Sequence, residues 1–183
     1  DQVSDKPLLS AKLNGGKVVS ESKIPEIGVT EFKLSNGVKV VLKPTDFKND
    51  EISFSAFSAG GSSLYSDADF QSALYATAII RNGGLGEFNS VQLPKLLSGK
   101  KVSVSPYIME RFEGISGSTS PKDIETALQL TYLYFTQPRK DAETFKGLIA
   151  QQKGGLANRG NDPNSVFADS VAAILGNYNV RRT

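Results

Sequence analysis

Alternating apolar and polar residues near the start of the chain predict a β-hairpin. The stretch TEFKLSNGVKVVLKP has two alternating runs on either side of Asn36-Gly37. Asn-Gly favours tight hairpin turns because both residues tolerate positive φ. A third run, EISFSAFSAG, follows and ends at Gly60-Gly61. We therefore predict three strands in this part of the chain.

The next stretch, SDADFQSALYATAIIRNGG, predicts a helix that is apolar on almost every side. Ser66 is its predicted N-cap, with Asp69 three residues later as in a capping box. A helix that is hydrophobic all round is buried on more than one side, so we expect this one at the centre of the fold. Its apolar surface consists of Phe70, Ala73, Leu74, Tyr75, Thr77, Ala78, Ile79 and Ile80.

The remaining patterns predict a short helix, two strands and three helices. The short helix lies in NSVQLPKLLSG, and the strands are KKVSVSPYI and RFEGISGS. Ser120-Pro121 opens the next helix, with Ser as N-cap and Pro at the first helical position. Its predicted core face consists of Ile124, Ala127, Leu128, Thr131 and Phe135.

Two further helices complete the pattern, one from Asp141 to Asn158 and one from Asp162-Pro163 onward. Strands, a helix, strands and then a run of helices differ from the regular alternation of a parallel doubly wound sheet. The predicted fold class is therefore α+β, a mainly antiparallel sheet with helices packed on one face. Because the order breaks off at Thr183 without a return to strand, either the sheet is complete as it stands or the chain is truncated.

The opening 27 residues predict an arm rather than a packed element. They are polar, contain Gly15-Gly16 and Pro25, and show no sustained period. We therefore divide the chain into a linker at residues 1–27 and a domain at residues 28–183.

Composition excludes several classes of chemistry. The 183 residues include no cysteine and no histidine, which removes disulfides, thiolate metal sites, the commonest general base and the commonest zinc ligand. The formal charge is +2 and the basic residues are dispersed, so we expect no nucleic-acid partner. No apolar run approaches the ~20 residues that a membrane span requires.

Two carboxylate pairs are candidates for acid–base chemistry or metal binding. Asp67 and Asp69 stand at a predicted helix start, where capping explains them better. Glu110 and Glu113 stand where a strand begins, and we expect both to be solvated.

Two Ser-x-x-Lys pairs offer a nucleophile with a lysine base. Ser20 with Lys23 lies in the predicted arm and Ser98 with Lys101 in a loop. The Ser-Asp-Asn and Lys-Thr-Gly words that accompany this motif in serine hydrolases are missing, so chance explains both pairs better. An aromatic cluster that we expect to serve mostly as packing consists of Tyr132, Tyr134 and Phe135.

Several words in this order resemble the pitrilysin/insulinase family of zinc metallopeptidases, which use an inverted H-x-x-E-H motif. The hairpin LSNGVKVVLKP, the strand end FSAGGSS and the later helix pair from IETALQLTYLYF to GNDP fit the family's frame. The resemblance extends from about Gly28 to the C-terminus. It implies a metallohydrolase-like repeat domain. Because domains of this family return to strand and helix after the point where this chain stops, it also implies a domain truncated at its C-terminus.

The resemblance also implies that this chain lacks the zinc site. Counted along the family's spacing, the first zinc His falls at Leu74, the Glu that activates water at Thr77 and the second His at Ala78. The third zinc ligand, a Glu, falls at Gly154 or Gly155. Zinc hydrolysis needs about three protein donors and a base, so we expect no catalytic and no metal-binding residue here. The substrate-binding residues stay unidentified.

As a member of this family, the chain would be a non-catalytic domain in the wall of a chamber that encloses peptide. No cofactor is expected in this chain, whereas zinc is expected in the catalytic domain of the parent protein. The implied partners are the catalytic half of the same parent chain, a peptide substrate and a second copy meeting an exposed sheet edge. The family suggests a bacterial, periplasmic parent.

Two other functions stand beside this hypothesis. The first is a structural or scaffold subunit without associated peptidase activity, as in relatives that belong to respiratory assemblies. The second is an autonomous hydrolase with an unrecognised site, which the missing His and Cys disfavour.

Overall fold

A computed structural model describes residues 6–182, which form two compact units, each with a three-stranded antiparallel sheet. The first unit is Leu9–Glu51 and the second contains residues 52–182 with residues 6–8. No helix in the described part of the chain is both long and apolar enough to cross a bilayer.

The first unit contains the predicted hairpin, which is confirmed. Gly37 adopts a φ of 89°, and the Asn36 side chain accepts a hydrogen bond from the Val38 amide at 3.2 Å. The turn residues therefore provide the positive φ and the local polar contact for which Asn-Gly is favoured. In the order of the sheet, the strands are β1 (Val18–Ile24), β2 (Val29–Leu34) and β3 (Lys39–Leu42).

Strand β1 lies in the segment predicted as an arm, and sequence patterning did not reveal it. Every residue of β1 is exposed, so no apolar face marks the strand. Its backbone pairs with β2 from Val18 to Ile24, with an irregularity between Val18 and Ser20. Backbone pairing depends little on side-chain identity, which explains why the pattern missed it. The boundary between residues 27 and 28 stays a prediction.

The second unit contains a sheet in the order β4-β6-β5, with both pairings antiparallel. Alternate residues of these strands turn towards the helices, and Val104 and Ile115 are buried there. Pro106 lies on the edge strand β5, where proline disturbs a sheet least. The strands are β4 (Ile52–Ala59), β5 (Val102–Ile108) and β6 (Phe112–Thr119).

Within residues 6–182, five α-helices accompany this sheet. Helices α1 and α3 lie against β5, and α3 also contacts β6. The arrangement confirms the predicted α+β class. The helices are α1 (Phe70–Gly83), α2 (Gln92–Leu96), α3 (Ile124–Thr136), α4 (Ala142–Arg159) and α5 (Pro163–Leu175). The buried apolar residues of the unit are Phe70, Ala73, Leu85, Phe88, Val104, Ile115, Ala127, Leu130 and Leu133.

The predicted start of α1 is wrong by one turn. Ser66 does not cap the helix, which begins at Phe70. The Ser66 hydroxyl donates to the Asp69 carboxylate at 2.7 Å and accepts from the Asp69 amide at 3.3 Å. The capping-box pair thus closes a turn that precedes the helix, because these polar groups satisfy each other locally.

The predicted core face of α3 is wrong at two of its five positions, whereas Ala127 is fully buried as predicted. Leu128 and Phe135 are 58% and 69% exposed. A 3-10 turn at Pro121–Asp123 precedes α3, so the helix begins later than predicted. The helix has two apolar stripes, and the sheet covers only one of them; helical periodicity alone cannot choose between two such stripes. The buried residues of the helix are Thr126, Ala127, Leu130 and Leu133.

Candidate functional site

Helix α1 carries three of the positions at which the family's zinc site is expected. Thr77 and Ala78 are half-buried, whereas Leu74 is 41% exposed and its neighbour Tyr75 is 46% exposed. The prediction that this helix is buried on more than one side is therefore wrong for the side that bears Leu74 and Tyr75. An apolar surface faces outward where the family places its first zinc ligand.

Arg181 holds the segment that leads into α1. Its guanidinium donates to the Asp67 carboxylate at 2.6 Å, to the Tyr65 carbonyl at 2.6 Å and to the Ser62 carbonyl at 3.3 Å. The same group lies 5.2 Å from the centre of the Phe70 ring, within range of a cation–π contact. Sequence reasoning missed Arg181 because its partners lie more than a hundred residues upstream, and no local pattern marks it.

The end of α1 packs closely against the chain that leads into α4. A Cβ added to Gly83 would lie 2.6 Å from the Arg139 carbonyl oxygen, so only glycine permits this approach. Gly84 follows with a φ of 89°. The Asp141 side chain then caps α4 by accepting from the Thr144 amide at 2.9 Å, close to where the sequence predicts the start of this helix. Helices α1 and α4 are in contact.

The remaining expected ligand position lies on the exposed second half of α4. Gly154 and Gly155 are both exposed, and a Cβ at either position would meet open space. The expected zinc-site positions thus bear an isobutyl group, a hydroxyl, a methyl group and hydrogen. None of these can serve as the histidine or carboxylate donor that zinc takes. Residues 6–182 contain no group of three or more His, Cys, Asp or Glu that could hold a metal ion.

The candidate carboxylates do not converge on one metal-binding site. Asp67 bonds Arg181, and Asp69 bonds Ser66. Glu110 is exposed in the turn between β5 and β6, and Glu113 is half-buried on β6. The structure therefore does not bring either pair into a metal-binding group.

The strand geometry excludes a catalytic dyad for one of the two candidate Ser-x-x-Lys pairs. Ser20 and Lys23 lie three apart on β1, so their side chains point to opposite faces of the strand. Ser98 is exposed in the turn after α2, and the Lys101 amide donates to the Asp123 carboxylate at 2.9 Å. Ser20 and Lys23 are therefore explained by their place on β1.

The aromatic cluster on α3 is only partly packed. Burial raises the pKa of the Tyr134 hydroxyl, as expected for a packed side chain. Tyr132 and Phe135 are 36% and 69% exposed, so the prediction that the cluster is mostly packing is wrong for these two residues.

The strongest electrostatic feature at the base of α3 is the Asp123 carboxylate. The Ser120 hydroxyl donates to it at 2.6 Å and the Lys101 amide donates to it at 2.9 Å. These hydrogen bonds hold the pKa of Asp123 below its usual range. The carboxylate ties the start of α3 to β5, which is a structural role.

Comparisons with known proteins identify the family. No family model matches the chain. The chain is 34% identical over 168 residues to the "Zinc protease PQQL-like" protein of Arabidopsis thaliana. This alignment covers 91% of the present chain and 15% of the relative. It is 26% identical over 117 residues to the "Probable zinc protease PqqL" of Haemophilus influenzae, covering 64% of this chain and 13% of the relative.

Solved structures agree on the fold. The periplasmic protease PqqL of Escherichia coli matches 93% of this chain and 19% of its own, with a TM-score of 0.79 at 19% identity. The ferredoxin protease FusC, solved as a mutant in complex with Arabidopsis ferredoxin, matches 94% of this chain and 19% of its own, with a TM-score of 0.79 at 18% identity. The chain belongs to the pitrilysin/insulinase-type zinc metallopeptidase family. It spans about 15% of the length of its Arabidopsis relative.

Proposed function

We propose that this chain is a non-catalytic domain of a zinc metallopeptidase. In this proposal it forms part of the wall of a chamber that encloses peptide, and a different domain of the parent protein holds zinc and cleaves the peptide. The observation that carries the proposal is the set of side chains at Leu74, Thr77, Ala78 and Gly154. These positions provide no zinc donor and no base, in a chain that aligns with zinc proteases over most of its length.

The sheet face turned away from the helices supports a wall that contacts unfolded peptide. Strand register aligns two rows of three serines across β4, β6 and β5 on this face. Serine hydroxyls both donate and accept hydrogen bonds and carry no charge, so such a surface suits many peptide sequences. The two rows are Ser53, Ser118 and Ser103, and Ser55, Ser116 and Ser105.

Zinc content and peptide cleavage test the proposal. We expect the 183-residue chain to bind no stoichiometric zinc and to cleave no peptide, and the parent protein to do both in a chelator-sensitive manner. Zinc bound to the short chain, or cleavage by it that a chelator blocks, would contradict the non-catalytic assignment. A parent protein that neither binds zinc nor cleaves peptide would favour the scaffold alternative.

Restoring the donors tests the alignment of the four positions. The double variant Leu74→His/Ala78→His places two imidazoles one helical turn apart, and adding either Gly154→Glu or Gly155→Glu should tighten its zinc affinity. The matched control is Gln71→His/Tyr75→His, an exposed pair on the same helix with the same spacing. If neither Gly154→Glu nor Gly155→Glu improves the Leu74→His/Ala78→His pair more than the control pair, the proposed correspondence with the zinc site is wrong.

A further inference from the structure

Helix α5 exposes its apolar side and directs its small and polar side inward. Within the helix, the half-buried residues are Ser165 and Ala173, and the Asp169 carboxylate on the same side bonds Arg159 at 2.6 Å. This orientation is the reverse of that of a typical surface helix, whose apolar stripe faces the core. We call the exposed residues the apolar stripe; they are Val166, Phe167, Val171, Ile174 and Leu175.

The apolar stripe is continuous and uncharged. At about 100° per residue, its five members fall within one half of the helix circumference, and each is between 37% and 80% exposed. Asp169 is the only charged residue in the sequence of α5, and it lies on the opposite side of the helix. A continuous exposed apolar surface of this kind marks an interaction site rather than a solvated face.

The area of the stripe is sufficient for a small stable interface. Large apolar side chains present about 150–250 Å² each when fully exposed, so the exposed fractions correspond to on the order of 600 Å² per chain. Standard protein–protein interfaces begin at roughly 600 Å² on each partner. The six residues outside the described range include one large apolar side chain, Val3, which is too little to cover this area. The stripe therefore requires another molecule to remove it from water.

We propose that α5 binds α5 of a second copy of this chain, with the two helices antiparallel about a two-fold axis beside Val171. A two-fold interface needs one surface that is complementary to itself, and an uncharged stripe meets this requirement because no like charges come together. The inference goes beyond the proposed function and does not depend on it. A monomeric chain would leave the zinc assignment unchanged.

The stripe is nearly symmetric about Val171. Phe167 and Leu175 each lie four residues from it. Phe167 of one copy therefore packs against Leu175 of the partner subunit, and Val171 faces Val171 of the partner subunit. Ile174 lies beside this central contact. Removal of these side chains from water favours association, whereas in a dilute single chain the stripe stays exposed.

Single cysteines test the register directly, because the natural chain has no cysteine. Packed helix axes lie about 8–10 Å apart, so residues that face each other at the two-fold axis have Cα atoms roughly 5 Å apart, within the range that a disulfide spans. We expect Val171→Cys to form a covalent dimer under mild oxidation. Ala172→Cys is the matched control at the next position, which is also exposed but points away from the stripe. Its two copies would lie roughly 10 Å apart, too far to bond.

Light scattering over a wide range of chain concentrations measures association without cross-linking. We expect the natural chain to approach twice the mass of a single chain. Ile174→Lys and Phe167→Lys should each raise the dissociation constant by more than about tenfold, because they would bury an ammonium group in an apolar contact. Ala172→Lys adds the same charge to the same helix outside the stripe and should leave the dimer intact. Circular dichroism checks that each variant folds.

Three outcomes would overturn this interface. The first is a natural chain that stays monomeric at every concentration, as it would if a different segment of the parent protein covered the stripe. The second is cross-linking of Ala172→Cys as efficient as that of Val171→Cys. The third is a dimer that survives in folded Ile174→Lys and Phe167→Lys, which would place the contact on another surface.

Discussion

Helices α3 and α5 have the same length and similar apolar character, yet the fold treats them differently. Each has 13 residues; α3 buries four of them and α5 buries none. Leu133 of α3 is 1% exposed, whereas Leu175 of α5 is 80% exposed. The comparison shows that an apolar helical pattern specifies a helix without specifying what covers it.

The two helices are also held by different interactions. Helix α3 packs on β5 and β6 through apolar side chains. Helix α5 is joined to α4 by a two-pronged Arg159–Asp169 ion pair, with N–O distances of 2.6 and 2.7 Å. Arg181, just beyond α5, bonds the segment before α1. Apolar burial is the stronger of the two kinds of contact, because water and salt weaken exposed ion pairs.

The largest expected effect is the loss of a buried leucine. Leu133→Ala should lower the free energy of unfolding by about 3 kcal/mol, because the methyl groups removed leave a cavity in the core. Leu175→Ala should change it by less than about 0.5 kcal/mol, since that side chain is exposed. Urea unfolding of both variants measures the contrast. Equal losses would show that α5 is as firmly packed as α3.

Loss of Arg181 should have the next largest effect. Arg181→Ala removes three hydrogen bonds from a side chain that is 29% exposed, and we expect a loss of about 1–2 kcal/mol in unfolding free energy. Hydrogen exchange should speed up in α5 and at the start of α1 but not in α3. Arg182→Ala, at the exposed neighbouring position, is the control. Uniform acceleration across all helices would contradict the proposed local role.

Acid should release α4 and α5 before the core. Hydrogen bonds hold the pKa of three carboxylates below the usual range: Ser165 for Asp162, Thr144 for Asp141 and Arg159 for Asp169. Because the folded pKa lies below the unfolded value, this stabilisation is complete above the unfolded pKa of about 3.9 and disappears as pH falls through the folded pKa.

Hydrogen exchange at a series of pH values measures this release. We expect the protection of α4 and α5 to fall below about pH 4, while the Leu133 region of α3 stays protected to lower pH. Asp162→Asn keeps a residue that caps helices well but has no carboxylate to protonate. The protection of α5 in this variant should therefore depend less on pH than it does in the natural chain. If protection in α5 is independent of pH, the carboxylates do not hold this helix pair.

The smallest effect is expected at an exposed ion pair on α4. Lys146 contacts Glu143 at 2.8 Å, with side chains 71% and 83% exposed. Lys146→Ala should leave the urea midpoint almost unchanged, since water competes with such contacts and fixing both side chains costs entropy. A clear shift in the midpoint would mean that surface charge contributes more to these helices than burial indicates.

Patterning predicted the elements whose cause is local. The Asn36-Gly37 turn and the caps at Asp141 and Asp162 were predictable because a turn or cap is decided by a few adjacent residues. Strand β1 was missed because its pairing uses backbone groups and leaves every side chain exposed. The start of α1 was misplaced because Ser66 and Asp69 bond each other before the helix begins.

In the candidate site, too, some features follow from the residues themselves and others depend on the tertiary structure. The sequence by itself determined that Leu74, Thr77, Ala78 and Gly154 provide none of the histidine or carboxylate donors that zinc takes, since donor chemistry belongs to each residue's own atoms. Only the tertiary structure decided that Leu74 faces outward, that the sheet covers the Leu130 side of α3 and that Arg181 reaches Asp67. These features depend on which distant segments meet, and a contact across more than a hundred residues leaves no periodic trace in the chain.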